Sequence, residues 1–212
     1  MNYWDELMGD DDHAANYMAT YGEGPGTETR NTLELFLNDG ESLLDVGCGP
    51  GWNMDHFVQQ GPELSRYKGV DYATRFVRVD NQRLKDQHLQ DYTTMIIDKF
   101  ELQDCRDLEE EDESWDVVLV QDCIEHTDGY VKPVNEALRV AKKRVITTFW
   151  HMSDTGEEKI NDDGNDGYGG YYLRPKYEEF LDTLGYIWVH HQIIDKAGKP
   201  RDYYIIDKEE PK

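Results

Sequence analysis

The sequence predicts an α/β fold: a three-layer sandwich of helices around a mostly parallel, seven-stranded sheet that ends in an antiparallel hairpin. Three observations predict it. From Ser42 onward, short apolar runs alternate with helical stretches, as parallel strands covered on both faces require. The first run ends in a glycine-rich loop, Gly47-Cys48-Gly49-Pro50-Gly51, that opens a helix. The last two runs, residues 186–194 and 202–206, are joined by Asp195-Lys196-Ala197-Gly198-Lys199-Pro200, a hairpin connection.

Taken in order, residues 1–40 read as a helical lid segment ahead of a domain at 41–212. Trp4, Leu7, Met8, Tyr17, Met18 and Tyr21 recur among polar runs as one or two short amphipathic helices. Residues 22–26 (GEGPG) break helix, and Thr27 is placed to cap a second one through Leu37. Residues 42–46 (SLLDV) form the first strand, and 52–60 a helix closed by Gly61-Pro62. Residues 67–70 are the second strand, ending at Asp71, and 74 to about 88 a polar helix. The third strand is 93–97 (TTMII), the fourth 115–120 (WDVVLV), and the fifth 144–149 (RVITTF), which follows a helix at 131–141. A helix at 177–184, stopped by Gly185, precedes the hairpin.

Charge narrows the partners. Among 212 residues, 22 Lys or Arg face 45 Asp or Glu, a formal charge of −23. Such a surface repels phosphate backbones, which argues against nucleic acid. The runs at 10–12 (DDD) and 109–113 (EEEDE) read as solvated segments. Twelve lysines against ten arginines weaken a strongly halophilic reading of this charge. No apolar run approaches the about 20 residues of a membrane span. The stretch MNYWDELMGDDDH lacks the basic and apolar regions of a secretory signal. The three cysteines (Cys48, Cys105, Cys123) show no CxxC spacing, so reduced thiols in a cytoplasmic setting are expected, with no metal site.

The glycine loop sets the chemistry. It follows an acid, Asp45, at a strand end and has glycine at every second position, so backbone can approach a ligand closely. A dinucleotide fingerprint needs Gly or Ala three residues after Gly49, where Trp52 stands, so NAD and FAD are disfavoured. Asp71, at the end of the second strand, suits the two vicinal hydroxyls of a ribose.

Leu43 to Trp52 (LLDVGCGPGW), Asp71, the fourth-strand segment SWDVVLV at 114–120, Ile124-Glu125-His126 and Ala137-Leu138-Arg139-Val140 together resemble the class I S-adenosylmethionine-dependent methyltransferases over about residues 41–206. The resemblance implies a Rossmann-like fold and S-adenosylmethionine as cofactor. It implies that Asp45, Gly47, Cys48 and Gly49 line the methionine end, that Asp71 holds the ribose and that Tyr72 packs on the adenine. Asp98 or Asp104 holds the adenine; spacing before Asp116 favours Asp104, but strand content favours Asp98 and outweighs a loop length that can vary. Gln121 and Asp122 sit under the sulfonium.

Methyl transfer from a sulfonium asks mainly for alignment and exclusion of water, with a base where the acceptor is a hydroxyl or protonated amine. His126 and His151, with Asp122, are the candidates for that role; His126 pairing with Glu125 is the structural alternative. Residues 161–172 do not fit a calcium loop, since position twelve is Tyr172 or Leu173. They read as a flexible insertion whose Tyr168, Tyr171 and Tyr172 wall an acceptor pocket, opposite a lid bearing Trp4, Tyr17 and Tyr21. Gln121-Asp122-Cys123-Ile124 lacks the Asn/Asp-Pro-Pro-aromatic stretch of DNA amino-methyltransferases, so a small-molecule acceptor, methylated on O or N, is the expectation. A cofactor-binding regulatory module and aminopropyl transfer are the competing readings.

Overall fold

All five residues of β1 (Ser42–Val46) are buried, because strands flank it on both sides and helices cover both faces. The computed structural model describes residues 5, 6, 9, 26–86, 93–150, 152–162, 168–195 and 198–208. The helices expected around Trp4, Tyr17 and Tyr21 lie outside these residues. α1 (Gly26–Leu33) begins one residue before Thr27, so the start expected at Thr27 falls inside the helix. It tightens into a 3-10 turn at Glu34–Phe36 short of Leu37.

The domain then runs through α2 (Trp52–Gln60), β2 (Arg66–Asp71), α3 (Thr74–Asp86), β3 (Ile96–Ile97), β4 (Glu101–Leu102), β5 (Trp115–Gln121), α4 (Val131–Val140) and β6 (Ala141–Phe149). Next come β7 (Met152–Ser153), β8 (Lys159–Asp162), β9 (Tyr168–Leu173), α5 (Arg174–Thr183), β10 (Ile187–Ile194) and β11 (Pro200–Asp207). The main sheet is ordered β10-β11-β6-β5-β1-β2-β3, with β4 also on β2, which makes eight strands. Successive residues face opposite sides. Leu44, Val118 and Tyr204 enter one core cluster, and Leu43, Val117 and Tyr203 the other.

Two expectations need correction. The third strand is two short pieces with a break at residues 98–100, because Asn81 on α3 occupies the backbone there. Its Oδ1 accepts from Phe100 N at 3.0 Å and its Nδ2 donates to Phe100 O at 2.8 Å. The antiparallel terminal hairpin is present as expected: β11 pairs antiparallel with both β6 and β10, so it alone runs against the sheet and β10 is the edge. The insertion at 161–172 is not a loop throughout, since β9 joins β7 and β8 in a second, three-stranded sheet. Tyr172 is buried in the core, its ring against Tyr130 at 5.3 Å and its hydroxyl donating to Ile124 O at 3.2 Å, and it walls no pocket. Tyr171 is exposed on the same strand, and the side chain of Tyr168 is outside the description.

Chain order reverses at β1, where β2 lies on one side and β5 on the other. Ligands in open α/β sheets bind at that switch point, outside the carboxyl ends of the strands.

Candidate active site

The turn after β1 is shaped by what lies beneath it. Gly47 takes a φ of +72°, and a Cβ there would stand 2.6 Å from Cys123 Sγ. Gly47 N and Cys48 N both donate to Val70 O, at 2.8 and 3.1 Å. Gly49 N donates to Asp71 Oδ2 at 2.8 Å, while Ala73 N donates to Asp71 Oδ1 at 2.7 Å. These bonds, with a third from the Tyr72 amide, fix both oxygens of Asp71 at the cavity edge. Burial outweighs the amides and pushes the Asp71 pKa up to about 6.

A second tie holds the loop to α3. Arg83 donates through Nη1 to Pro50 O at 2.9 Å and to Asp80 Oδ1 at 3.0 Å, and pairs with Asp55 through Nη2. Asp80 is fully buried and lies beside Gly51, 3.1 Å from where a Cβ would be. Burial lifts its pKa to about 8. Only a polar residue in an otherwise ordinary helix marked this contact in the sequence.

A cavity of about 510 Å³ opens above these elements, within the range of small-ligand sites. Gly47, Cys48, Gly49, Asp71, Tyr72, Asp104, Gln121, Asp122 and His126 all line it, as the sequence reading expects. Asp45 and Asp98 do not, and His151 is outside the described residues.

Asp45 lies behind the loop, fully buried. Its Oδ2 accepts from Tyr67 Oη at 2.5 Å and from Asn53 Nδ2 at 3.0 Å, and its Oδ1 has no hydrogen-bond partner among the described residues. Burial raises its pKa to about 6. Asn53, which the sequence reading did not single out, lines the cavity in its place and also donates to Gln121 Oε1 at 2.9 Å.

Register explains the placement of the two later acids. Asp98 N donates to Tyr67 O, near the start of β2, and the Asp98 carboxylate binds Arg66 at 2.6 Å, away from the cavity. Leu102 pairs with Asp71 at the end of β2, so Asp104 follows just beyond the strand edge. Burial acts to raise the Asp104 pKa, but the hydrogen bonds and charge of Arg106 outweigh it and hold the carboxyl below its ordinary value.

The far side of the cavity comes from β5, β6 and β11. Asp122 has a φ of +47°, uncommon for a residue other than glycine. Its Oδ1 accepts from Thr148 Oγ1 at 2.7 Å, and its Oδ2 from Arg201 Nη1 at 3.2 Å. His126 ends a 3-10 turn (Ile124–His126), and its ring stands 6.2 Å from Trp150. Glu125 turns away into the protein, where its Oε1 accepts from Trp150 N at 2.8 Å. Burial pushes the Glu125 pKa well up. A hydrogen bond to Cys105 and burial push the Cys123 thiol up, and burial does the same for Cys48, so both are packing groups. No cluster able to hold a metal ion occurs among the described residues. No described helix is long and apolar enough to cross a membrane.

A family model for a methyltransferase domain matches residues 44–149, half of the chain. The chain is similar to norajmaline N-methyltransferase of Rauvolfia serpentina, with 29% identity over 117 residues, 53% of this chain and 37% of that protein. Among solved structures, phosphoethanolamine N-methyltransferase 2 of Haemonchus contortus with S-adenosyl-L-methionine superposes with a TM-score of 0.72 at 17% identity, covering 98% of this chain and 59% of that one. Magnesium protoporphyrin IX methyltransferase of Synechocystis PCC 6803, with bound S-adenosylhomocysteine, gives 0.68 at 14% identity, covering 97% of both chains.

Proposed function

From a chain that belongs to the methyltransferase domain family, and to its S-adenosylmethionine-dependent class I members, we propose transfer of the cofactor's methyl group to the nitrogen or oxygen of a small-molecule acceptor by in-line displacement. The observation that carries this reading is the hydrogen bond from Gly49 N to Asp71 across the cavity floor. It joins the two elements that a nucleoside with an amino-acid tail must bridge. The bound sulfonium supplies a methyl group that is already activated.

The chain's own residues have simpler tasks. Asp71, held by amides, accepts from the ribose hydroxyls. Tyr72 covers the adenine, and Asp104, not Asp98, lies where its amine needs an acceptor. Gln121 and Asn53 meet the methionine end. Asp122 and His126 face the acceptor and take its proton, with His151 a third candidate just past β6. Two relatives named as N-methyltransferases support nitrogen as the acceptor atom.

Calorimetry with S-adenosylmethionine comes first: a defined one-site affinity is expected, and no binding at millimolar cofactor sinks the reading. Tritium transfer from labelled cofactor to pools of amines, hydroxyl compounds and carboxylates follows. Transfer to at least one pool is expected, and binding without transfer to any pool would favour a regulatory binding module instead.

A further inference from the structure

Three arginines line the cavity of a chain whose formal charge is −23, and they are not alike. Arg106 spends its Nε and Nη2 on Asp104 and its Nη1 on Asp128. Arg30, on α1, sits 5.7 Å over the Trp52 ring beside the glycine loop. Arg201 comes from β11, outside the segment the family model matches.

The Arg201 guanidinium is held from two directions. Nε donates to Asp195 Oδ2 at 3.3 Å, and Nη1 donates to Asp122 Oδ2 at 3.2 Å. Both holders are themselves fixed. Asp195 Oδ1 accepts from Lys199 N at 2.9 Å, and Asp122 Oδ1 accepts from Thr148. The remaining terminal nitrogen, Nη2, has no hydrogen-bond partner among the described residues, and it belongs to a side chain that lines the cavity. A guanidinium stays protonated and offers only donors, in a planar fork that fits a carboxylate or phosphate. Whatever meets its open edge must present oxygen lone pairs.

We propose that Arg201 anchors the methyl acceptor through a carboxylate or phosphate group, while Asp122 and His126 face the nucleophile at the other end of the same compact molecule. The proposal rests on the methyl-transfer reading and adds the acceptor's chemical class to it. Asp122 and Asp195 orient the guanidinium without closing its third edge, so the acceptor meets a donor fork already set in place. Because Asp122 touches both Arg201 and the acceptor end, the nucleophile and the oxyanion lie close together in the molecule that fits.

The test uses the full chain saturated with S-adenosylhomocysteine, whose binding is verified by calorimetry on the same sample. The probe is 4-fluorobenzoate, followed by fluorine NMR. Saturable broadening is expected with the parent protein, and Arg201→Met should weaken it at least tenfold while S-adenosylhomocysteine affinity stays within threefold. Arg201→Lys, which keeps the charge and loses the fork, should fall between the two, and it carries the test if Arg201→Met melts early. Inorganic phosphate that displaces the probe marks a phosphate-bearing acceptor; failure to displace it marks a carboxylate. No probe binding to the loaded parent protein, or equal binding by Arg201→Met, overturns the proposal. A parent protein that fails to bind S-adenosylhomocysteine at all overturns the methyl-transfer reading instead.

Discussion

Under β1 and β2, the groups that face a ligand are held by backbone: Gly49 N and Ala73 N fix Asp71, and Val70 O fixes the turn at Gly47 and Cys48. Under β5, β6 and β11, side chains hold one another, with Thr148 and Arg201 on Asp122 and Asp195 behind Arg201. The first kind of construction follows from strand register and a short loop, so it admits few substitutions. The second kind can be rebuilt one side chain at a time. An enzyme that keeps one cofactor and changes acceptors needs that division, with the constant end in backbone and the adjustable end in side chains.

Asp71→Ala is expected to break the constant end most severely. It removes two ligand hydrogen bonds to an ionised carboxylate, each worth about 1.5–3 kcal/mol. S-adenosylhomocysteine affinity by calorimetry should therefore drop at least about 100-fold. A loss under about fivefold would mean that side chains, not this carboxylate, hold the cofactor, and the contrast between the two ends would be lost.

Gly47→Ala and Gly49→Ala sharpen the same point through stability. Both glycines have positive φ, at +72° and +53°, but only at Gly47 would a Cβ strike a neighbour, Cys123 Sγ at 2.6 Å. The left-handed conformation alone costs roughly 1–2 kcal/mol for a residue with a Cβ, and the clash adds about 1–3 kcal/mol. Urea denaturation should show Gly47→Ala clearly less stable than Gly49→Ala. Equal losses would show that Cys123 moves aside freely and that the loop is not pinned from below.

pH separates the two ends next. In the proposed cofactor site, ribose hydroxyls donate to the ionised form of Asp71, whose pKa is raised to about 6 by burial. Protons therefore compete with the cofactor below that value. Affinity should be flat above about pH 7 and fall toward tenfold per pH unit below 6. Asp71→Asn should be weak and flat over the same range. A parent profile that is also flat would remove Asp71 from the ribose.

Much of the constant end is legible in the sequence. Asp71 ends a recognisable strand and the loop is a local pattern, so both are found without knowing what packs against them. The adjustable end is not legible, because its contacts span the chain: Asp122 and Arg201 are 79 residues apart, one just past β5 and the other on β11, and only the order of the sheet, with β6 between those strands, brings them together. Asp45 shows a subtler failure. The pattern locates it correctly at the end of β1, but Tyr67 and Asn53 turn its carboxylate inward, and Asn53 takes the cavity position. Neither partner carries a signal that spacing alone could read.

Asp98 and Asp104 offer the smallest and most discriminating change. Strand content in TTMII favours Asp98 in the sequence, yet Asn81 breaks that strand at Phe100. The chain then pairs again at β4, and Leu102 reaches the end of β2 beside Asp71. Asp104 thus gains the edge position while Asp98 is left beside Arg66, in a partly exposed pair worth no more than about 1 kcal/mol of stability. Asp104→Ala should weaken S-adenosylhomocysteine binding about five- to tenfold, the loss of one hydrogen bond of about 1–1.5 kcal/mol, and Asp98→Ala should leave it within about twofold. The reverse ranking would put the adenine beside β3 and shift the cofactor along the strand edge. Since both acids follow the same broken strand, the difference between them measures how firmly Asn81 sets the register of the cofactor end.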